Sequence, residues 1–307
     1  MATRRPIHGI FPPIPTTFDA AGKVDRRGLS ENVRRWSATG LSGILALGSN
    51  GEAMLLDESE ADEVLETVRA VLPADKVLLA GVGRESTRAT VAAAARAASR
   101  GADAVLVRPP SAYRAQMTPD ALVAHFTAVA DGSPVPVLLY NLPGPTGITL
   151  TLPIVARLAE HPNVAGLKET SPELDRLGQF AAISPGRFAV LSGWAPVLYP
   201  ALMSGAAGGI LAVANVMPDL TVAIYDLARA GRHDEALTLQ RQITPLAQMV
   251  SSVHGIAGLK AALEIAGYHG GPVRAPLLPV SAAVRAEIAA AFARLNDVAR
   301  AGTVPSR

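Results

Sequence analysis

The chain has 307 residues, of which 49% are hydrophobic and 18% charged, so it can bury a large core and is not a disordered chain. Its 28 Lys and Arg residues exceed its 26 Asp and Glu residues by only two, and no basic tract is present, which argues against nucleic acid as a partner. Cysteine is absent, which excludes disulfides, thiolate metal sites and a cysteine nucleophile, and no uninterrupted apolar run is long enough to span a membrane.

Apolar runs of strand length alternate with helical patterns through the first three quarters of the chain. The predicted strands cover 7–11, 43–47, 76–80, 102–107, 136–140, 164–168, 188–192 and 208–213. The predicted helices between them cover 25–39, 57–72 and 86–100, with further helices that begin near 118, 151, 171, 195 and 218. From 231 onward the pattern is helical only, and it predicts helices over 234–248, 255–266 and 280–299.

Eight strands, each followed by a helix, predict a (β/α)₈ barrel over residues 1–230, with a C-terminal helical extension over 231–307 packed on it. The strands are continuously apolar, as expected where both faces of a parallel sheet are buried. A doubly wound sheet is the competing architecture, and periodicity alone does not exclude it.

The sixth predicted strand ends on Lys168, where apolar residues lead up to the lysine and polar ones follow it. A lysine in this position is poorly solvated, which disfavours its charged form. A neutral amine can attack a carbonyl group and form a Schiff base. The alternative is a surface lysine just beyond a strand, since lysines are mostly exposed.

Active sites of such barrels lie at the carboxyl ends of the strands, and two further strand ends carry suitable residues. The second strand is followed by Gly48-Ser49-Asn50-Gly51-Glu52, whose small and polar residues suit a bound carboxylate or phosphate. An ordinary turn would have the same composition. Tyr140 ends the fifth strand, where a phenol can transfer a proton. The alternative role of Tyr140 is structural, as an aromatic side chain that covers the end of the core.

Three other features carry weaker signals. The stretch 81–86, Gly-Val-Gly-Arg-Glu-Ser, is similar to a dinucleotide-binding loop, but its third glycine is missing and we interpret it as chance. Glycines flank the eighth strand, where many barrels bind phosphate, but no basic residue adjoins them. Arg108 and Arg114 either hold a second substrate carboxylate or are solvated, and we favour the solvated state.

Several motifs together resemble the dihydrodipicolinate synthase / N-acetylneuraminate lyase superfamily of class I pyruvate aldolases. The resemblance covers nearly the whole chain. It depends on the segments 12–18 (Pro-Pro-Ile-Pro-Thr-Thr-Phe), 48–52, 140–147, 166–169 (Gly-Leu-Lys-Glu) and 271–277. It implies a homotetramer that uses an imine in place of a cofactor. It also implies that no metal is required, and the scattered histidines lack the spacing of a zinc site. The missing membrane span, and the lack of an apolar signal core after Arg4 and Arg5, lead us to expect a soluble cytoplasmic protein.

The resemblance also implies roles for single residues. Lys168 matches the Schiff-base lysine and Tyr140 the tyrosine that shuttles protons. Ser49 and Asn50 match the pair that holds the pyruvate carboxylate and relays protons. Three further positions match residues around the substrate: Gly193 and Ile210 line the pyruvyl pocket, and Tyr113 is similar to a tyrosine lent to a neighbouring subunit.

The motif around Tyr140 departs from dihydrodipicolinate synthases, which have an arginine for the aldehyde's carboxylate where this chain has Pro145. Gly-Ser-Asn-Gly-Glu and the segment 130–137 are similar to 4-hydroxy-2-oxoglutarate aldolases and fungal 2-keto-3-deoxy sugar acid aldolases. We therefore predict an aldolase that releases pyruvate from a 4-hydroxy-2-oxo acid or a 2-keto-3-deoxy sugar acid. The alternatives are dihydrodipicolinate synthase or another pyruvate-dependent lyase, a non-catalytic sugar-acid-binding barrel, and a phosphate-binding barrel enzyme.

Overall fold

A computed structural model describes residues 6–298 and confirms the predicted (β/α)₈ barrel. All eight predicted strands are present, with bounds that differ from the prediction by up to three residues. The strands are β1 Gly9–Phe11, β2 Gly43–Ala46, β3 Val77–Gly81, β4 Ala104–Val107, β5 Val137–Asn141, β6 Val164–Glu169, β7 Ala189–Ser192 and β8 Gly208–Ile210.

The strands are parallel and follow the order β1-β8-β7-β6-β5-β4-β3-β2. The residues around β1 close the sheet onto β2: the Ile14 backbone N–H donates to the Leu45 carbonyl at 2.9 Å, and the Leu45 N–H donates to the Pro12 carbonyl at 3.0 Å. The sheet is therefore a nearly closed barrel, and the doubly wound alternative is wrong.

The helices cover the outside of the barrel, and several of them begin after a residue whose side chain caps the first turn. The side chains of Asp57, Ser86 and Thr118 accept backbone N–H groups in the first turns of their helices. The helices are α1 Arg26–Ser37, α2 Glu58–Val71, α3 Thr87–Ser99, α4 Pro119–Gly132, α5 Pro143–Thr146, α6 Leu152–Ala159, α7 Leu174–Ala181, α8 Leu198–Met203, α9 Pro218–Arg229, α10 His233–Gln248, α11 Gly255–Ile265 and α12 Ala282–Val298.

Two elements near the end of the barrel differ from the prediction. The eighth strand, predicted over 208–213, ends at Ile210, because the chain turns into a 3₁₀ helix over Ala212–Asn215. The buried Asn215 amide donates to the carbonyls of Pro13 and Ala212 and so ties this turn to the end of β1. The helix predicted from 195 starts as a 3₁₀ turn and continues as α8.

Side chains alternate along the strands between the barrel interior and the helix layer. The interior cluster is buried and contains one or two residues from seven of the strands: Phe11, Leu45, Val77, Leu79, Ala104, Leu106, Leu138, Tyr140, Leu191 and Ile210. This alternation places Tyr140 and Ile210, two predicted site residues, inside the barrel.

After the barrel, α10 packs on α9, and α11 packs on α12. The extension over 231–307 stays a prediction as a domain, and position 299, where its last helix was predicted to end, lies outside the described residues. No helix within residues 6–298 combines the length and the apolar character that crossing a membrane requires.

Candidate active site

Lys168 and Tyr140 lie side by side at the carboxyl ends of β6 and β5. They are partners in the parallel register of the two strands, so both side chains point into the barrel. The Lys168 Nζ lies 3.2 Å from the Tyr140 hydroxyl and 4.4 Å from the centre of its ring. Lys168 is 5% exposed and Tyr140 6%, so the predicted burial of Lys168 is confirmed and the surface alternative is wrong, although β6 continues one residue further, to Glu169.

The next residues of the same strands face away from the barrel and anchor the pair. The Asn141 side-chain amide donates to the Glu169 carboxylate at 2.7 Å, and its oxygen accepts the Leu150 backbone N–H at 2.8 Å. Arg176 lies 3.4 Å from the same carboxylate. These buried polar contacts fix the ends of β5 and β6 relative to each other, so the Lys168–Tyr140 contact is preorganised.

Among the described residues no carboxylate lies at ion-pairing distance from Lys168. The other fully buried lysine, Lys260, is different, because its Nζ lies 2.5 Å from the Glu52 carboxylate. Buried lysines are normally paired. An unpaired buried amine next to a phenol is an arrangement that suits nucleophilic attack on a carbonyl and proton exchange.

Gly193 follows β7, and because it has no side chain, the Lys168 side chain can pass close to it. Its backbone N–H donates to the Glu169 carbonyl at 2.6 Å. A Cβ at this position would lie 2.1 Å from the Thr170 Oγ1 and 2.9 Å from the Lys168 Cε. Only glycine fits beside Lys168 at this position, and the expectation that Gly193 lines the pyruvyl pocket stays a prediction.

Thr170 is a site residue that the sequence reasoning missed. Its hydroxyl oxygen is buried beside Lys168 and has no hydrogen-bond partner among the described residues. A buried hydroxyl without a partner is uncommon and is available to a ligand. The signal was its position two residues after Lys168, since alternate residues of a strand lie on the same face.

The predicted carboxylate-binding residues, Ser49 and Asn50, lie on a 3₁₀ turn directly after β2. Ser49 is exposed and Asn50 half-buried. The turn lies between two non-glycine residues with left-handed backbone, Leu47 with φ 56° and Glu52 with φ 54°. Such a conformation costs about 1–3 kcal/mol per residue and persists where surrounding contacts impose it, which is typical of functional loops.

Buried ionic contacts impose this conformation at Glu52. One carboxylate oxygen lies 2.5 Å from the Lys260 Nζ, and the other accepts the Arg274 backbone N–H at 2.7 Å. Burial lowers the pKa of Lys260, while the hydrogen bond and charge of Glu52 act in the opposite direction. The Thr16 hydroxyl donates to the Gly51 carbonyl at 2.7 Å. Lys260 of α11, Arg274 in the loop after it and Thr16 after β1 therefore hold the Ser49–Asn50 turn in place.

A small cavity of about 50 Å³ lies at the carboxyl ends of β2 to β5. Its lining includes Leu47, Gly48, Ser49, Gly81, Arg84, Arg108 and Tyr140. Tyr140 thus adjoins both Lys168 and this cavity. A larger cavity, of about 760 Å³, lies at the opposite end, near Ile7, Pro136 and Ala189. Because active sites of this fold lie at the carboxyl ends of the strands, we assign the site to the smaller cavity and the adjoining Lys168.

The remaining predicted residues lie at different distances from the barrel interior. Ile210 is buried at the end of β8 in the same interior cluster as Tyr140. Tyr113 is 74% exposed on the turn after β4 and is not brought to Lys168 within one chain. Arg114 is exposed. The expectation that Arg108 is solvated is wrong, because its side chain is 13% exposed and lies 2.8 Å from the Glu85 carboxylate.

The chain matches a protein family and several known proteins over nearly its whole length. The model of the dihydrodipicolinate synthetase family matches residues 6–295. The chain is 37% identical to an uncharacterized DapA-like lyase of Halobacterium salinarum over 290 residues, 94% of each protein. It is 33% identical to a probable mitochondrial 4-hydroxy-2-oxoglutarate aldolase of Emericella nidulans over 305 residues, 98% of each protein.

Solved structures resemble the whole chain. The 4-hydroxy-tetrahydrodipicolinate synthase of Methylacidiphilum fumariolicum superposes with a TM-score of 0.90 at 28% identity, covering 96% of this chain and 98% of that one. YagE of E. coli K12, solved in complex with pyruvate, superposes with a TM-score of 0.87 at 27% identity, covering 94% of this chain and 99% of that one.

Proposed function

The chain belongs to the dihydrodipicolinate synthetase family and is a carbon–carbon lyase, and we propose that it cleaves a 4-hydroxy-2-oxo acid or a 2-keto-3-deoxy sugar acid to pyruvate and an aldehyde. The reaction proceeds through an imine on Lys168. The observation that carries the proposal is the Lys168 Nζ, which is buried, has no carboxylate partner within residues 6–298 and lies 3.2 Å from the Tyr140 hydroxyl.

The reaction balances with the residues at this site. The Lys168 amine adds to the C2 carbonyl of the substrate, and the C2 hydroxyl leaves as water with the Tyr140 phenol proton, so that a protonated imine and a phenolate form. Tyr140, as phenolate, takes the proton of the C4 hydroxyl while the C3–C4 bond breaks, and the electron pair of that bond becomes the enamine. The aldehyde leaves, Tyr140 returns the proton to C3, and water hydrolyses the imine to release pyruvate.

The other site residues bind and orient the substrate. Ser49 and Asn50 hold the pyruvyl carboxylate and relay protons, and Gly193 and Ile210 shape the space around the pyruvyl carbons. The protonated imine withdraws electrons, so neither a metal nor another cofactor is needed. We further propose a cytoplasmic homotetramer in which Tyr113, exposed in the single chain, completes the site of a neighbouring subunit.

Pyruvate as the released product is supported by YagE, which was solved with pyruvate bound. The aldolase reaction is favoured by the relative from Emericella nidulans and by Pro145, whose ring has no group that can bind an aldehyde's carboxylate. A synthase is the second candidate, because other relatives and structures at similar identity are named 4-hydroxy-tetrahydrodipicolinate synthases. Pyruvate with aspartate semialdehyde separates the two, since rapid condensation would favour the synthase.

Borohydride reduction in the presence of pyruvate, followed by peptide mass spectrometry, tests the proposal. We expect a pyruvyl adduct on the peptide that contains Lys168, and none in Lys168→Ala. Tyr140→Phe keeps the amine but loses the proton carrier, so we expect an adduct together with a loss of cleavage of about 10²- to 10⁴-fold. A folded wild-type protein that forms no adduct would refute the mechanism.

A further inference from the structure

We infer that Arg84 and Arg108 form a binding site for a second carboxylate, carried by the part of the substrate that leaves as the aldehyde. The inference rests on the proposed function and narrows its substrate to 4-hydroxy-2-oxo dicarboxylic acids. It uses two residues that the family resemblance did not assign.

The two arginines come from neighbouring strands and meet at the candidate site. Arg84 follows β3 and Arg108 follows β4, and both side chains line the cavity that Ser49 and Tyr140 also line. Gly83 permits this approach, since a Cβ there would lie 2.7 Å from the Arg108 Cγ. Gly83 therefore makes room for Arg108, and this packing role accounts for the glycine without a dinucleotide-binding function.

The charges of Arg84, Arg108 and Glu85 do not cancel, because two cations face one carboxylate. Glu85 pairs with Arg108 at 2.8 Å, and its other oxygen accepts the backbone N–H groups of Ser111 and Ala112, both at 2.8 Å. Arg84 is half-buried and is within ion-pairing distance of no carboxylate among the described residues. Burial and the positive charge of Arg108 lower the pKa of Arg84.

A half-buried guanidinium without a counter-ion is unfavourable, and an anion beside it would supply the missing charge. Arginine binds carboxylates through two parallel hydrogen bonds, which fixes the orientation of the bound group as well as its charge. Two arginines at one cavity thus suit a carboxylate of the substrate. They replace in function the arginine that this chain lacks at Pro145.

The distal carboxylate is the one that these arginines fit. The pyruvyl carboxylate belongs to the Ser49–Asn50 turn, and C2 must lie at the Lys168 Nζ. The aldehyde portion is then the remaining part of the substrate that can reach the arginines. If Arg84 instead held the pyruvyl carboxylate, its removal would lower the activity on every substrate equally. Substrates with and without a distal carboxylate therefore distinguish the two roles.

Cleavage of two matched substrates by Arg84→Met tests the inference. The first is 4-hydroxy-2-oxoglutarate, which yields pyruvate and glyoxylate, and the second is 4-hydroxy-2-oxopentanoate, which has a methyl group in place of the distal carboxylate. We expect kcat/KM to fall about 10- to 100-fold for the dicarboxylate, because its distal carboxylate loses a charged hydrogen bond. For 4-hydroxy-2-oxopentanoate, which has no such carboxylate, we expect a fall of less than about threefold. Arg88→Met, which removes an exposed arginine from α3, is the matched control and should change neither value.

Equal losses for both substrates, or no loss, would overturn the inference. Two further measurements separate its failure from that of the proposed function. Borohydride trapping of pyruvate in Arg84→Met should still modify Lys168, which shows a folded and reactive site. Calorimetric titration with 2-oxoglutarate and 2-oxopentanoate measures how much the distal carboxylate contributes to binding affinity, without turnover. We expect the wild type to prefer 2-oxoglutarate about 10-fold or more and Arg84→Met to lose that preference, whereas an equal preference in both proteins would contradict the site.

Discussion

Removal of the Lys260 amine tests how α11 holds the Ser49–Asn50 turn, for which we propose substrate binding. Lys260 is 2% exposed, and its Nζ lies 2.5 Å from the Glu52 carboxylate, whose side chain is 0% exposed. The same Nζ donates to the Pro272 carbonyl at 2.7 Å and lies 4.4 Å from the centre of the Phe18 ring. Lys260→Met keeps the apolar stem and removes the charge, so it leaves the Glu52 carboxylate buried without its cation.

Removing one partner of a buried ion pair costs about 3–5 kcal/mol, because the remaining charge is desolvated without compensation. We expect Lys260→Met to lower the free energy of unfolding by this amount, measured by urea denaturation at neutral pH. Glu52→Gln with Lys260→Met removes both charges and should recover more than half of the loss. The single variant should also raise KM, since Glu52 directly follows the 3₁₀ turn over Ser49–Gly51 that carries Asn50.

The matched control is Lys23→Met, which removes the charge of a surface lysine and should change the free energy of unfolding by less than about 0.5 kcal/mol. A Lys260→Met variant whose stability equals that of the wild type would refute the reasoning, because it would mean that the Glu52 charge is stabilised by other groups. A double variant less stable than the single one would show that packing, not charge, dominates at this position.

Two further predictions concern the site and the helix layer. Gly193→Ala places a methyl group 2.9 Å from the Lys168 Cε, so we expect kcat for cleavage to fall by more than about 10-fold while circular dichroism stays unchanged; activity equal to that of the wild type would contradict the packing at Gly193. Burial lowers the pKa of His125 from 6.5 to about 4. This depressed pKa contributes stability that is present above pH 6.5 and is lost as the pH falls towards 4, up to about 3 kcal/mol. His125→Gln should therefore flatten the pH dependence of urea unfolding between pH 7 and 4, and an unchanged slope would show that His125 does not contribute to it.

The βα order and the approximate ends of the elements follow from local patterns in the sequence. A strand that is buried on both faces must be a continuous apolar run, and helix caps such as Asp57 and Ser86 act on the first turn of their own helix. Lys168 was recognisable as a strand-end lysine for the same reason, since the apolar residues before it and the polar residues after it are adjacent in the chain.

Which of these residues contact each other depends on how distant segments pack. Tyr140 and Lys168 are 28 residues apart, and the register of two strands puts them in contact. Glu52 and Lys260 pair across most of the chain, and nothing in the sequence near either residue indicates the other. Arg108 was expected in solvent, but the loop after the neighbouring strand covers it and supplies Glu85. Burial and partner identity depend on packing between segments distant in sequence, which local patterns of polarity do not encode.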